Sequence, residues 1–169
     1  MTTITGKPFT VLGNLKVSNN LIIGETDQSS YGKLETLSGL TNINIPGSNI
    51  FTLIEPTTST MSTDSTSDWV QEGNGGLKFL GDNFNGDLNT TVYVEKQAAG
   101  VEDFNMKVFQ GASEIGSFGS QGEISAAPTP YLINMRIIAV KNDVFTVQCA
   151  NLSNSNDFRA RQYVLEAKA

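Results

Sequence analysis

Tyr131-Leu132-Ile133-Asn134-Met135-Arg136-Ile137-Ile138-Ala139-Val140 runs into the corner Lys141-Asn142-Asp143 and then into Val144-Phe145-Thr146-Val147-Gln148-Cys149-Ala150. Two runs rich in β-branched and aromatic residues, joined by a short polar corner, read as paired strands. Working outward, the same grammar recurs. Upstream, Leu88 to Lys96 alternates, with Leu88, Thr90, Val92 and Val94 against Thr91, Tyr93 and Glu95. Phe104 to Gln110 alternates through Phe104, Met106 and Val108, turns at Gly111-Ala112, and returns from Glu114 to Phe118. Downstream, the polar loop Asn151 to Asp157 precedes a last strand, Phe158 to Ala167. Its alternation sets Ala160, Gln162, Val164 and Glu166 opposite Arg159, Arg161, Tyr163 and Leu165. Shorter candidates precede these at Ile50 to Ile54, Trp69-Val70 and Leu77 to Leu80. No window repeats apolar residues at i, i+3, i+4 and i+7, so no long helix is expected. About eight strands between residues 48 and 169, at roughly the 8–12-residue spacing of a sandwich, predict an all-β jelly-roll β-sandwich.

Composition agrees. Ser, Thr, Asn and Gly together make 64 of the 169 residues, a mixture suited to turns and polar strand faces and poorly suited to helices. The net charge of −6 opposes binding to nucleic acid, which needs a positive field. His is absent, which removes the commonest general base and the commonest neutral metal ligand. A single Cys allows neither an internal disulfide nor a thiolate zinc cluster. No apolar run approaches the roughly 20 residues of a membrane span, and the start MTTITGKPFT reads without a secretory leader.

Residues 1–47 have a different texture and predict an extended, strand-rich N-terminal arm, with the jelly roll occupying 48–169. Gly13-Asn14-Leu15-Lys16-Val17 is echoed by Asn19-Asn20-Leu21-Ile22-Ile23, and weakly by Gly39-Leu40-Thr41-Asn42-Ile43-Asn44-Ile45. Phe9, Val11, Leu15, Val17, Leu21 and Ile23 are its apolar positions. Each piece is too short to bury a face alone, so these residues are expected to anchor the arm on another surface. Pro46-Gly47 marks the break, and Thr57 to Ser67, TTSTMSTDSTS, reads as an exposed loop.

Over about residues 65–169, the succession Trp69, Leu77-x-Phe79-x-Gly81, Leu88 to Lys96 and Phe104-x-Met106-x-Val108-Phe109-Gln110-Gly111 resembles a C1q/TNF-like trimeric jelly roll, a form common in bacteriophage virion proteins. The later phrases Leu132-Ile133-Asn134-Met135, Val144-Phe145-Thr146-Val147 and Ala150 to Phe158 fit its second half. Where that family has Gly-Asp before an apolar strand, this chain has Asn142-Asp143. The arm phrase Gly13 to Gly24 is similar to the GNLxVxGNLxV phrases of phage fibre necks and baseplate-associated proteins. The resemblance implies a homotrimer around a threefold axis, with the arm docked on the virion.

The late strands bear on the trimer. The apolar pairs Leu132-Ile133 and Ile137-Ile138 suit a strand covered on both faces, by the opposite sheet and by a neighbouring copy. A β-bulge or a wider monomer core is the plainer alternative. Tyr131, Ile133, Met135, Ile137 and Phe145 are the expected trimer contacts. Trp69 is either a core anchor or a contact for a ligand such as a glycan.

The remaining candidates favour plain readings. Gly81-Asp82-Asn83-Phe84-Asn85-Gly86-Asp87 has oxygen ligands enough for Ca²⁺ but not the EF-hand spacing, and suits an ordinary turn. Asp64, Asp68 and Glu72 would serve glycoside hydrolysis only if paired across a substrate. Cys149 sits in an apolar phrase with no adjacent cation to activate it. Asn89-Thr90-Thr91 and Asn151-Leu152-Ser153 match the glycosylation sequon, and Arg159 with Arg161 suits either an acidic partner or a charged strand edge. The expected function is therefore structural and not enzymatic, without a cofactor or metal. It is that of a capsid decoration (cement) protein made in the host cytoplasm and placed on the capsid surface. Its partners would be two further copies and the major capsid protein, and neither nucleic acid nor membrane. A receptor- or glycan-binding knob of a head or tail fibre is the alternative.

Overall fold

The computed structural model describes residues 30–36, 43–47, 49–64, 67–97, 103–120, 125–153 and 157–169. Twelve strands, numbered in chain order, form two antiparallel sheets among them. Sheet A runs β10 (Thr129–Val140), β7 (Asn83–Lys96), β12 (Phe158–Lys168), β1 (Tyr31–Glu35) and β4 (Thr60–Thr63), with β2 (Ile43–Ile45) also paired to β12. Sheet B runs β5 (Trp69–Glu72), β6 (Gly76–Phe79), β11 (Val144–Asn151), β8 (Phe104–Gln110) and β9 (Ser113–Ser120), with β3 (Thr52–Leu53) also on β11. From β7 onward the chain crosses from sheet A into the β8–β9 hairpin, returns in β10, crosses again in β11 and returns in β12. These crossings make the sandwich a jelly roll, the fold expected from the sequence.

Alternation builds the core. β7 turns Phe84, Leu88, Val92 and Val94 inward, and β11 does the same with Phe145, Val147 and Cys149. Trp69 packs against Phe79, Phe84 and Phe145 at centroid distances of 5.0, 5.0 and 5.7 Å. Gly32 of β1 lies beneath it, and a Cβ there would come within 2.4 Å of the Trp69 Cβ, so only glycine fits. The buried Tyr163 hydroxyl crosses the sandwich and donates to the Gly75 carbonyl at 2.9 Å. The β10–β11 corner needs a left-handed residue, and Asn142 supplies it with φ of 73°, as its side chain allows. Asp143 locks the corner by accepting from the Val140 N–H at 2.8 Å and from Gln110 Nε2 at 2.6 Å.

Four sequence expectations change. The jelly roll does not begin at residue 48: β1 lies between β12 and β4 inside sheet A, and Leu34 and Ile45 are fully buried. The stretch Thr57 to Ser67 is not all loop, because its β-branched threonines form β4 on the edge of sheet A. In β12 the register shifts between Ala160 and Gln162. That bulge moves the inward set from Phe158 and Ala160 to Tyr163, Leu165 and Ala167, so Ala160 and Gln162 do not share a face. In β10 the opposite holds. Its twelve residues pair with β7 without a shift, so the two apolar pairs are not a bulge.

Candidate functional site

The unbroken register of β10 decides which side chains are available. Ile133, Ile137 and Ala139 point into the core, while Leu132, Ile138 and Val140 on the outer face are 52%, 67% and 50% exposed. Ile133, Ile137 and Phe145, expected at a trimer contact, are therefore core residues, and Tyr131 and Met135 pack partly against the same core. Tyr131 packs against Phe104 with ring centroids 4.6 Å apart and the planes tilted by 43°, and burial pushes its phenol pKa upward. The apolar pairs did flag a two-faced strand. The outward member of each pair, Leu132 and Ile138, is the one a neighbour could touch, and the register that assigns them is not written in the pairs themselves.

The outer face of sheet A continues from this ridge across polar residues. Asn89 Nδ2 donates to Glu166 at 3.2 Å, and Lys33 and Glu35 pair at 2.6 Å, which raises the lysine pKa. Tyr31 has its phenol pKa raised, first by burial and then by the Glu166 charge. Arg136 lies between the apolar positions of β10 and donates through Nε to Asn85 Oδ1 at 3.1 Å, with Asp87 at 3.8 Å.

Beside this ridge, the seam between the outer strands of the two sheets holds an open groove of about 540 Å³. Ile115, Met135, Ile137 and Ile138 supply its apolar lining, and Asn85, Gln110 and Arg136 its polar rim. Met135 fills the gap between sheets so closely that a Cβ at Gly116 would lie 2.0 Å from its Cε.

The other candidates resolve plainly. Trp69 is 2% exposed at the centre of the core and offers no face to a ligand. Cys149 is fully buried, and burial pushes its thiol far above the ordinary range. No group of three or more His, Cys, Asp or Glu converges on a metal position among the described residues. Asp68 and Glu72 flank β5 at opposite ends, about 13 Å apart along an extended strand, too far for a hydrolytic carboxylate pair. Glu72 instead faces Lys78 at 3.4 Å. Arg161 meets Glu95 at 3.4 Å and Arg159 donates to Gln97 Oε1 at 2.9 Å, so both arginines engage their own sheet. The arm positions Phe9, Val11, Leu15, Val17, Leu21 and Ile23 lie outside the described residues.

The strand order and crossings thus define the class as a jelly-roll sandwich. Among solved structures, the chain is similar to the PRD1 vertex protein P5, at 16% identity over 83% of this chain and 96% of that one, with a TM-score of 0.52. It is also similar to murine APRIL, at 10% identity over 83% and 100%, with a TM-score of 0.47. The globular domain of zebrafish complement 1qA follows at 9% identity over 84% and 96%, with a TM-score of 0.39. At these identities the likeness is one of fold. No known family pattern and no curated protein sequence matches the chain.

Proposed function

We propose that this chain is a homotrimeric structural protein of a bacteriophage virion, acting as a capsid decoration (cement) protein. One observation carries the reading: a jelly roll of the kind seen in the PRD1 vertex protein P5 presents an apolar ridge, Leu132, Ile138 and Val140, on the outer face of sheet A. These exposed apolar side chains share one face of β10, with Asn134 and Arg136 between Leu132 and Ile138, and a partner covering that face would bury them. A second copy of the same chain is the partner the C1q/TNF-like resemblance implies.

Ser30 and Ala169 sit side by side, the Ala169 N–H donating to the Ser30 carbonyl at 3.3 Å. Residues 1–29 are therefore joined to the jelly roll beside the end of β12. The arm's apolar residues would hold the major capsid protein while the trimer bridges neighbouring capsomers. A ligand that binds the assembled shell and not its separated subunits stabilises the shell by about 2.7 kcal/mol per site when present at 100 times its Kd. The net charge of −6 fits a role that needs no nucleic acid.

The fibre-knob alternative loses its named contact, because Trp69 is enclosed by Phe79, Phe84 and Phe145. The test is co-sedimentation of the purified protein with undecorated capsids, followed by heating of decorated and bare shells. Binding with a higher dissociation temperature is the expected result. No binding, or binding without stabilisation, refutes the cement role.

A further inference from the structure

We infer that Arg136 of one copy pairs with Glu166 of the next, joining the β10 edge of each protomer to the β12 face of its neighbour. This rests on the homotrimer reading and goes beyond it, because it names the two patches that meet.

A ring of three closes only when two different patches of the same chain meet, since a patch that pairs with itself joins two copies and stops. Sheet A offers two such patches. At its edge, Arg136 and Ile138 stand on β10 beside Ile115 and Met135 of the groove. Further in, the register aligns Leu132 with Thr91 and Val164, and the next row aligns Asn134 with Asn89 and Glu166. Each patch sets a charge beside apolar side chains, and the two charges are opposite.

The ion pairs of the face leave these two charges over. Lys33 holds Glu35 at 2.6 Å, and Arg161 meets Glu95 at 3.4 Å. Among the described residues, Glu166 receives neutral donors, Asn89 Nδ2 at 3.2 Å and the Tyr31 hydroxyl. Lys33 lies opposite it on β1 but is turned to Glu35. Arg136 gives its Nε to Asn85 Oδ1 at 3.1 Å and has Asp87 at 3.8 Å. Its side chain is 67% exposed, which leaves the terminal nitrogens room for a further carboxylate.

Within one copy the two residues face different ways. Two strand steps of about 4.8 Å and two residues of about 3.4 Å put their Cα atoms roughly 12 Å apart. Asn85, which holds the guanidinium, pairs with Ile138 and so lies on the far side of Arg136 from Glu166.

A copy that covers Leu132 and Ile138 also takes Arg136, which stands between them, out of water. A desolvated guanidinium needs a carboxylate in good geometry, and a desolvated carboxylate needs a cation. Arg136 and Glu166 of adjacent copies meet both needs at once.

The test uses the full-length protein carrying Arg136→Lys, which keeps the charge and supplies an amine. A water-soluble carbodiimide activates a carboxyl group; an amine in contact with it displaces the urea and leaves an amide. The products are separated by size under denaturing conditions, and the linked peptides are read by mass. The expected result is a 136–166 link in covalent dimers and in trimers of three times 18.2 kDa, and not in monomers. Adding Glu166→Gln removes it. In parallel, light scattering on dilution compares Arg136→Leu, Glu166→Gln and the two combined. Each alone should raise the concentration of half-dissociation about tenfold or more, and the combination no further than the worse of the two. A 136–166 link confined to monomers, no such link in a protein that is trimeric in solution, or fully additive losses would overturn the pairing and leave the homotrimer standing. A wild-type monomer would overturn both.

Discussion

Replacing Trp69 separates a core anchor from a ligand platform. The side chain is 2% exposed, packs on three phenylalanines, and sits directly on Gly32. Trp69→Ala removes that packing and leaves a cavity that rigid strands on both sheets cannot close, a change costing about 3–5 kcal/mol. For a chain of this length each kcal/mol lowers Tm by roughly 2–4 °C, so Tm should fall by roughly 6–20 °C. Trp69→Phe should cost much less. The indole N–H has no hydrogen-bond partner among the described residues, and its removal recovers part of a desolvation cost of about 1–3 kcal/mol. The assay is thermal unfolding followed by circular dichroism. Trp69 is the chain's single tryptophan, so wild-type fluorescence reports this site alone and should be blue-shifted until the transition. A Trp69→Ala protein with wild-type Tm, or a red-shifted native emission, would refute the core assignment. Loss of glycan binding without loss of stability would restore the fibre-knob reading.

Three further outcomes follow from the same geometry. Tyr163→Phe removes the cross-sheet hydrogen bond to Gly75 and leaves its carbonyl unpaired, so thermal unfolding should show a loss of about 1–3 kcal/mol. Leu132→Asp places a charge on the exposed face of β10; it should dissociate the oligomer while leaving a native circular dichroism spectrum and changing the protomer's own unfolding free energy by no more than about 0.5 kcal/mol. Asp157 accepts from Asn44 Nδ2 and the Gly47 N–H, which hold its carboxyl below the usual range. Because the folded pKa lies below the unfolded one, its contribution is present above the unfolded pKa of about 3.9 and lost as pH falls through the folded value. Amide exchange at Ile43–Ile45 should therefore quicken as pH drops through that acid range relative to β7, and Asp157→Asn should abolish the difference.

Much of the fold was legible because long strands carry their own evidence. β7, β8, β10, β11 and β12 each have enough alternating residues to show period two, and their corners hold Gly111 or Asn142-Asp143. β1 was not legible. Tyr31-Gly32-Lys33-Leu34-Glu35 shows one strongly apolar core residue, and its place between β12 and β4 is fixed by Trp69 packing on Gly32, a long-range contact. β4 was hidden by low-complexity composition, since Thr60, Ser62 and Thr63 leave Met61 as its one apolar residue packed against the core. The candidate surface was half legible. The paired apolar residues of β10 disclosed a second face, but only the pairing with β7 shows that Leu132 and Ile138, and not Ile133 and Ile137, lie on it. In β12 a single bulge reversed the alternation, which no periodicity within one strand reveals.

The central claim is that three copies associate through the outer face of sheet A, and the mass of the full-length protein in solution tests it most directly. Light scattering should give three times 18.2 kDa for the wild type and 18.2 kDa for Leu132→Asp. A wild-type mass of 18.2 kDa at micromolar concentration, or a trimer that persists unchanged in Leu132→Asp and Ile138→Asp, would contradict the account.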